Sequence, residues 1–451
     1  MDEVDLRRTE LLVGVSAKLG HSRTVEIEAQ ANSHVGQVRD VNEDAFLIDE
    51  GLGLYVVCDG MGGHAGGDVA SEMAADTLRS FLRQRRDDLD KMRDGAPADE
   101  AATWMQRGVQ AASATVFHYA SQDKARRGMG CTCSAILLLG NKAVMGHVGD
   151  SRVYLKRGGE VYQLSEDHTY LREAVKQGII TPEDAAESNL SNVVTRAVGP
   201  KPTVMVDTLV FDVLPGDTFL LCSDGLHNYM NRTDELSATL GASDLRATVD
   251  QAIETANERG GGDNITALVI RLTSTPAEEP AGTERVTRIT QELTILRHVG
   301  LFKELEMKEL VNVANAFHYE DYGPNEVVVR EGDASDTLFI LVNGEAVVSR
   351  HGTELGRLKA GDHFGEMALL AQRPRSATVT TEEASHVLVL ERARFHELLG
   401  GQPVTAAKFL WRLAQTLSLR LDDFYLAQDE ARPTLKEGQT EAHGLLKSPF
   451  D

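Results

Sequence analysis

Two apolar runs, Leu54-Tyr55-Val56-Val57-Cys58 and Phe219-Leu220-Leu221-Cys222-Ser223, each break off at an Asp-Gly pair, Asp59-Gly60 and Asp224-Gly225. A third, Ala143 to Val148, leads through Gly149 into Asp150, and a fourth, Ile265 to Leu272, follows Gly262-Asp263-Asn264. Such runs predict buried strands. Carboxylates therefore stand at strand ends beside glycine, where the missing Cβ lets backbone approach an ion and a carbonyl serve as ligand. Hard oxygen donors without paired His or Cys favour Mg²⁺ or Mn²⁺ over Zn²⁺. One Asp-Gly pair alone is an ordinary turn. The recurrence, together with Arg39-Asp40-Val41-Asn42-Glu43-Asp44, gives the pairs a chemical meaning.

The motifs fall in a fixed order: Arg39 with Glu43-Asp44, Asp59-Gly60-Met61-Gly62-Gly63-His64, Val148-Gly149-Asp150-Ser151-Arg152, Ser223-Asp224-Gly225-Leu226, and Gly262-Asp263-Asn264. This set, spread over residues 25–273, resembles the PPM family of metal-dependent Ser/Thr protein phosphatases. The resemblance implies that Asp59 bridges two Mn²⁺ or Mg²⁺ ions, with the Gly60 carbonyl, Asp224 and Asp263 completing their shells. It implies that Arg39 holds the phosphate, for which a guanidinium fork is suited, and that Glu43 and Asp44 orient water or touch a metal at the edge of the site. Asp150 with Asp224 would form a weaker third metal position. Here Asn228 stands where many members carry an acid, a poorer ligand for a hard cation. His64 lies close to the place of a proposed general acid but is displaced by Met61-Gly62-Gly63, and a structural role suits it equally.

A second cluster lies far downstream: Phe364-Gly365-Glu366-Met367-Ala368-Leu369-Leu370, then Pro374-Arg375-Ser376-Ala377-Thr378-Val379. It resembles the phosphate-binding cassette of cyclic nucleotide-binding domains, over residues 295–400. The resemblance implies amides of the Gly365, Glu366, Met367, Ala368 and Leu369 turn facing the cyclic phosphate, Glu366 accepting from the ribose 2′-hydroxyl, and Arg375 pairing with the phosphate oxygens. Ser376 and Ala377 complete the cassette, and serine at 376 is compatible with cAMP or cGMP, with cAMP favoured.

The elements that must position these residues fit an α+β reading: a PPM β-sandwich flanked by helices, then a β-roll with C-terminal helices. At 451 residues the chain is too long for one core. The divisions expected are an extension over 1–24, a phosphatase domain over 25–273, a linker over 274–288, a nucleotide-binding domain over 289–430 and a polar tail over 431–451. Val69, Ala70, Met73, Ala74, Thr77, Leu78, Phe81 and Leu82 share a helical face beginning near Asp68, and a second helix is expected over Ala101 to Tyr119. A short helix could occupy Glu10 to Lys18, and a helical stretch is expected from Ile289 to Phe317. The region Ser165 to Ala197 resembles the flap of bacterial members, with a helix starting at Thr181-Pro182-Glu183-Asp184. In the last helix Leu410, Ala414, Leu417, Leu421 and Phe424 form a seam, so residues 409–426 either join two chains as a homodimer or cap their own β-roll.

Several classes are disfavoured. With 46 basic against 69 acidic residues, the formal charge of -23 opposes attraction to nucleic acid or an anionic membrane. No apolar stretch reaches the roughly 18 residues of a membrane span, and the acidic start Met1-Asp2-Glu3-Val4-Asp5 predicts a cytoplasmic protein. Cys58, Cys131, Cys133 and Cys222 lack zinc spacing, and none precedes an arginine by six positions. Phosphate chemistry through a thiol is thereby excluded. Gly60 to Ala65 matches a dinucleotide-binding outline, but no second strand ending in an acid follows at the required distance. The partners expected are phosphorylated proteins and cAMP or cGMP. A nucleotide receptor using a weakly active phosphatase domain as scaffold is the alternative.

Overall fold

Strict alternation inside the apolar runs decides the architecture. In the computed structural model, which describes residues 17–18, 25–62, 66–186, 188, 190, 193–274, 295–401 and 403–430, two antiparallel sheets face each other. Numbered along the chain, the strands of one sheet run β1 (Ala17–Lys18), β2 (Val25–His34), β13 (Ile265–Ser274), β12 (Thr218–Cys222), β9 (Arg152–Arg157), β10 (Glu160–Gln163). The other runs β11 (Asp207–Asp212), β8 (Lys142–Val148), β7 (Cys133–Leu139), β4 (Leu54–Cys58), β3 (Ala45–Asp49).

Because side chains alternate along a strand, β4 sends Tyr55 and Val57 into the core between the sheets, and Leu54, Val56 and Cys58 into an outer core. There they meet α1 (Gly67–Arg83) and α3 (Asp99–Ser121). β12 does the same with Phe219 and Leu221 inward, Leu220 and Cys222 outward. The outward pair meets α7 (Thr233–Leu240) and α8 (Leu245–Glu258). Four layers, helix on sheet on sheet on helix, follow from runs that are apolar on both faces. Both expected helices are present. α1 buries Ala70, Ala74, Leu78 and Leu82, and packs Val69, Met73 and Phe81 part-buried. The short, charge-rich α2 (Arg86–Arg93) follows, anchored by Leu89 and Met92.

The second unit is a β-roll of two sheets. One runs β14 (His318–Tyr322), β21 (Ser385–Glu391), β16 (Thr337–Asn343), β19 (His363–Phe364), and the other β15 (Val327–Val329), β20 (Thr378–Thr381), β17 (Glu345–Arg350), β18 (Thr353–Lys359). The helical stretch expected over 289–317 is broken instead. Residues 295–298 are helical, Gly300–Phe302 form a 3-10 turn, and α9 (Met307–Ala314) restarts where the Glu309 carboxylate accepts from the Glu306 N–H at 2.8 Å. Gly300 inside the stretch, weak in a helix, accounts for the break.

Other boundaries shift. Ala17–Lys18, expected in an unassigned extension or a short helix, pairs with Ile27 and Glu26 at the sheet edge, where β2 offers an unpaired backbone. β13 runs to Ser274, one residue into the expected linker. Residues 1–16, 19–24, 275–294 and 431–451 lie outside the described residues, as do most of that linker and the polar tail. The last helix, α12 (Pro403–Glu430), buries Phe409 and Leu413 and packs Leu417 against its own β-roll, while Leu410 and Ala414 are exposed. This is the capping alternative; the side chains of Leu421 and Phe424 lie outside the described residues. No described helix is long and apolar enough to cross a membrane.

Candidate active site and nucleotide pocket

β4 ends at Cys58 and hands on Asp59, whose backbone is fixed from both sides by one residue. Its N–H donates to Thr132 Oγ1 at 2.8 Å, and its carbonyl accepts from the Thr132 N–H at 2.8 Å. Gly60 is obligatory, since a Cβ there would stand 2.3 Å from the Glu43 carbonyl oxygen and 2.4 Å from that of Gly67. Asp224 opens the short α6 (Asp224–His227) at the end of β12. Asp150 follows β8 through Gly149, and its carbonyl accepts from His227 Nε2 at 2.9 Å. Asp44 is held by two hydroxyls on its Oδ2, from Ser223 at 2.7 Å and Thr266 at 2.6 Å. Asp263 carries Arg39 Nη2 at 2.7 Å, and both side chains are partly exposed.

All the strand-end acids named from the sequence thus gather at one edge of the sandwich, and they repel one another. Burial first, then the charges of Asp224 and Asp263, push Asp44 up to about 7 against the hydrogen bonds of Thr266 and Ser223. Burial and Asp224 push Asp150 up to about 7. Burial and Asp263 push Asp224 up to about 6. Burial together with Asp44, Asp224, Asp150 and Asp263 drives Asp59 far above the carboxylate range. Carboxylates packed this way require compensating positive charge.

The donor set fits divalent ions. Asp44 Oδ1 and Asp224 Oδ1 are buried with no hydrogen-bond partner, which a cation would supply. Among the described residues no three His, Cys, Asp or Glu side chains converge as a closed metal-binding set. Carboxylate and carbonyl oxygens with water filling the remaining positions are the donors that Mg²⁺ and Mn²⁺ take.

Some expectations change. The Glu43 carboxylate lies against the start of α1, where a Cβ on Gly67 would meet its Oε1 at 2.5 Å. The charges that most strongly raise the cluster are those of Asp44, Asp150, Asp224 and Asp263. The Glu43 backbone is also tied down, its N–H donating to Asn264 Oδ1 at 2.8 Å and its carbonyl accepting from Ser71 Oγ at 2.7 Å. Asn228 turns its amide toward Asp224 Oδ2 at 3.5 Å. His64 lies outside the described residues. The supporting hydroxyls of Thr132, Ser223 and Thr266 were not foreseen, although each sits within two residues of an apolar run's end. Asn264, next to Asp263, ties the loop before Asp44 by donating to the Val35 and Val41 carbonyls at 3.0 and 2.9 Å.

In the β-roll, Gly365 has φ +81°, and a Cβ on it would stand 2.6 Å from Arg375 Nη1. Arg375 donates to the Thr337 carbonyl at 2.9 Å and to the Thr337 hydroxyl, and its guanidinium lies 5.2 Å from the Phe339 ring centroid. Burial lowers its pKa; Asp336 and Asp333 oppose this through charge alone. A desolvated cation of this kind is suited to an anionic ligand. Glu366 is buried, and α10 (Met367–Leu370) follows. The amides of Ala368 and Leu369 donate to the carbonyls of Gly365 and Glu366 at 3.0 and 3.1 Å, so the turn itself engages two of the donors expected to face a phosphate. Ser376 is exposed and Ala377 half-buried beside Arg375.

The region expected as a flap carries α4 (Tyr170–Lys176), capped by Thr169, and α5 (Pro182–Ala186), which starts at the expected place. Its described ends are stitched by a bridge between Thr169 and Val194.

Comparison with known proteins agrees with this geometry. The family model "Protein phosphatase 2C" matches residues 32–268 and "Cyclic nucleotide-binding domain" matches 319–401. The serine/threonine phosphatase stp of Listeria welshimeri is 35% identical over 247 residues, 54% of this chain and 95% of the relative. Protein phosphatase PhpP of Streptococcus pneumoniae is 31% identical over 256 residues, 56% of this chain and all of that protein. A crystal structure of a bacterial serine phosphatase superposes with a TM-score of 0.50 at 30% identity, covering 56% of this chain and 100% of the other. The chain belongs to the Protein phosphatase 2C, or PPM, family: it is a Ser/Thr phosphatase with a cyclic nucleotide-binding domain behind its catalytic domain.

Proposed function

We propose that the chain hydrolyses phosphoserine and phosphothreonine in proteins with Mn²⁺ or Mg²⁺, and that cyclic nucleotide, cAMP favoured over cGMP, sets the rate by binding near Arg375. Asp59, Asp224 and Asp263 with the Gly60 carbonyl would hold two ions, and Asp150 with Asp224 a weaker third. When bound, such ions lower the pKa of a shared water and neutralise charge on the phosphoryl group. Arg39, paired with Asp263 in the free chain, exchanges that partner for phosphate oxygens, which orients the substrate. Asp44, gripped by Ser223 and Thr266, orients water at the edge of the centre. Buried Cys58 is unsuited to nucleophilic work, since the hydrogen bond to Cys131, with burial, holds its thiol well above the usual range.

The observation that carries regulation is that α9 belongs to two cores. Leu310 and Val313 lie in the core of the nucleotide-binding unit, whereas Val311 is buried in the core between the phosphatase sheets. Burying such a residue contributes roughly 1.5–3 kcal/mol. Arg172 of the flap helix pairs with Glu306 at the start of α9, and Asn315 Nδ2 donates to the Val210 carbonyl at 2.8 Å. A change in the β-roll on binding nucleotide thus has a path to the flap, provided nucleotide favours one arrangement. The test is phosphothreonine-peptide turnover by the full chain with Mn²⁺, with and without saturating cAMP or cGMP. A changed rate is expected; identical rates with all three would contradict the regulatory reading.

A further inference from the structure

Beneath the Asp150 loop lies a line of contacts that starts in the other domain. Lys308 of α9 reaches across to pair with Asp207 Oδ2 at the start of β11, and both side chains are largely buried. The other carboxylate oxygen of Asp207 accepts from Arg196 at 3.1 Å, and Oδ2 also faces His168 Nε2 at 3.5 Å. Burial opposes the charge of Asp207, but the His168 hydrogen bond and the Lys308 charge hold its carboxyl well below the usual range.

His168 in turn grips Gly149 twice. Its backbone N–H donates to the Gly149 carbonyl at 2.8 Å, and its Nδ1 accepts from the Gly149 N–H at 3.1 Å. With Nδ1 engaged on Gly149, Nε2 faces both Asp207 Oδ2 at 3.5 Å and Arg196 Nη1 at 3.2 Å, so the Asp207–Arg196 pair holds the far side of the ring. The ring is 3% exposed and packs on His147 at 4.9 Å between centroids. His147 is itself pinned between Ser134 Oγ at 2.9 Å and the Glu166 carbonyl at 3.0 Å. The residue after Gly149 is Asp150.

We propose that Lys308, Asp207 and His168 are positioning residues through which the nucleotide-binding half holds Asp150 in place for its metal ion. A docked α9 holds Asp207 in place, Asp207 with Arg196 fixes the tilt of the His168 ring, and His168 fixes both hydrogen-bonding groups of Gly149. The Asp150 carboxylate then needs no reorganisation to receive a cation. The chain of contacts operates without nucleotide and rests on the reading of Asp150 as a metal carboxylate.

The test is calorimetric Mn²⁺ binding by the full-length protein, with melting temperature as the control for folding. Asp150→Asn should weaken or remove the weakest Mn²⁺ binding step. His168→Ala should weaken that step by roughly 10- to 100-fold. Lys308→Met, which keeps the length of the side chain, should weaken it by about 2- to 30-fold, and Lys308→Arg should restore it. Asn315→Ala, which removes another contact made by the same region, should leave Mn²⁺ binding unchanged. Unchanged binding in Lys308→Met, alongside weakened binding in Asp150→Asn, would overturn the positioning chain. So would equal losses in Lys308→Met and Asn315→Ala, since undocking alone would then explain both. Unchanged binding in Asp150→Asn would remove the metal role of Asp150, and the proposal with it.

Discussion

The two ligand sites of this chain follow opposite charge logic. At the sandwich edge, carboxylates stand buried with oxygens of Asp44 and Asp224 lacking partners, and they raise one another's pKa values. In the β-roll, a single arginine is tied to Thr337 and lies against Phe339, held ready by neutral groups. The first centre is a charge excess that only cations can balance; the second is one charge kept in place for an incoming anion. Removing a ligand oxygen from the first should therefore abolish chemistry, whereas removing the cation from the second should weaken binding and leave chemistry standing.

The largest expected effect is at the first centre. Asp59→Asn or Asp224→Asn, or a chelator with the native chain, should lower phosphopeptide turnover by orders of magnitude, because the proposed hydrolysis needs the cations that these acids would hold. Full activity in metal-free buffer would break the comparison. Next comes Arg375→Ala, which should weaken cyclic nucleotide binding about 30-fold or more, since losing one member of a desolvated charge pair costs roughly 2 kcal/mol or more. Titration calorimetry showing native affinity would move the pocket elsewhere.

A smaller effect concerns pH. Asp44 binds its proton more tightly folded, near 7, than at its ordinary 3.8. The stability this contributes to the metal-free chain is therefore full at low pH and is lost as pH rises through about 7. Metal-free Asp44→Asn should gain melting temperature relative to the native chain between about pH 5 and about pH 8. A constant difference would show that burial and the neighbouring acids do not hold the Asp44 proton as argued. The smallest effect is Cys58→Ser, which should leave turnover per folded molecule unchanged; a folded but inactive variant would restore a thiol mechanism.

What the sequence made legible was whatever is local. Asp59, Asp224 and Asp150 could be placed because apolar strands, read by composition, deliver the next residue to a sheet edge. α1 and α3 could be placed because their apolar spacing is helical. Contacts between distant positions left no local pattern: Thr266 reaches Asp44 across 222 positions, and Lys308 reaches Asp207 across 101. The Glu43 side chain could not be oriented from its motif, because its direction depends on the space left by Gly67 at the start of a helix. In the same way, the alternation of α12 fits two packings equally, and only the β-roll face that Phe409 and Leu413 meet separates them.

The joining of the two sites is tested most directly by reciprocity, since coupling between ligands must act equally in both directions. Cyclic nucleotide affinity of the full chain should be measured calorimetrically with Mn²⁺ present, with and without a non-hydrolysable phosphopeptide in the catalytic centre. Coupling predicts affinities that differ by roughly 5- to 150-fold. Identical affinities, with both ligands shown to bind, would mean that the two domains share a helix but no free energy.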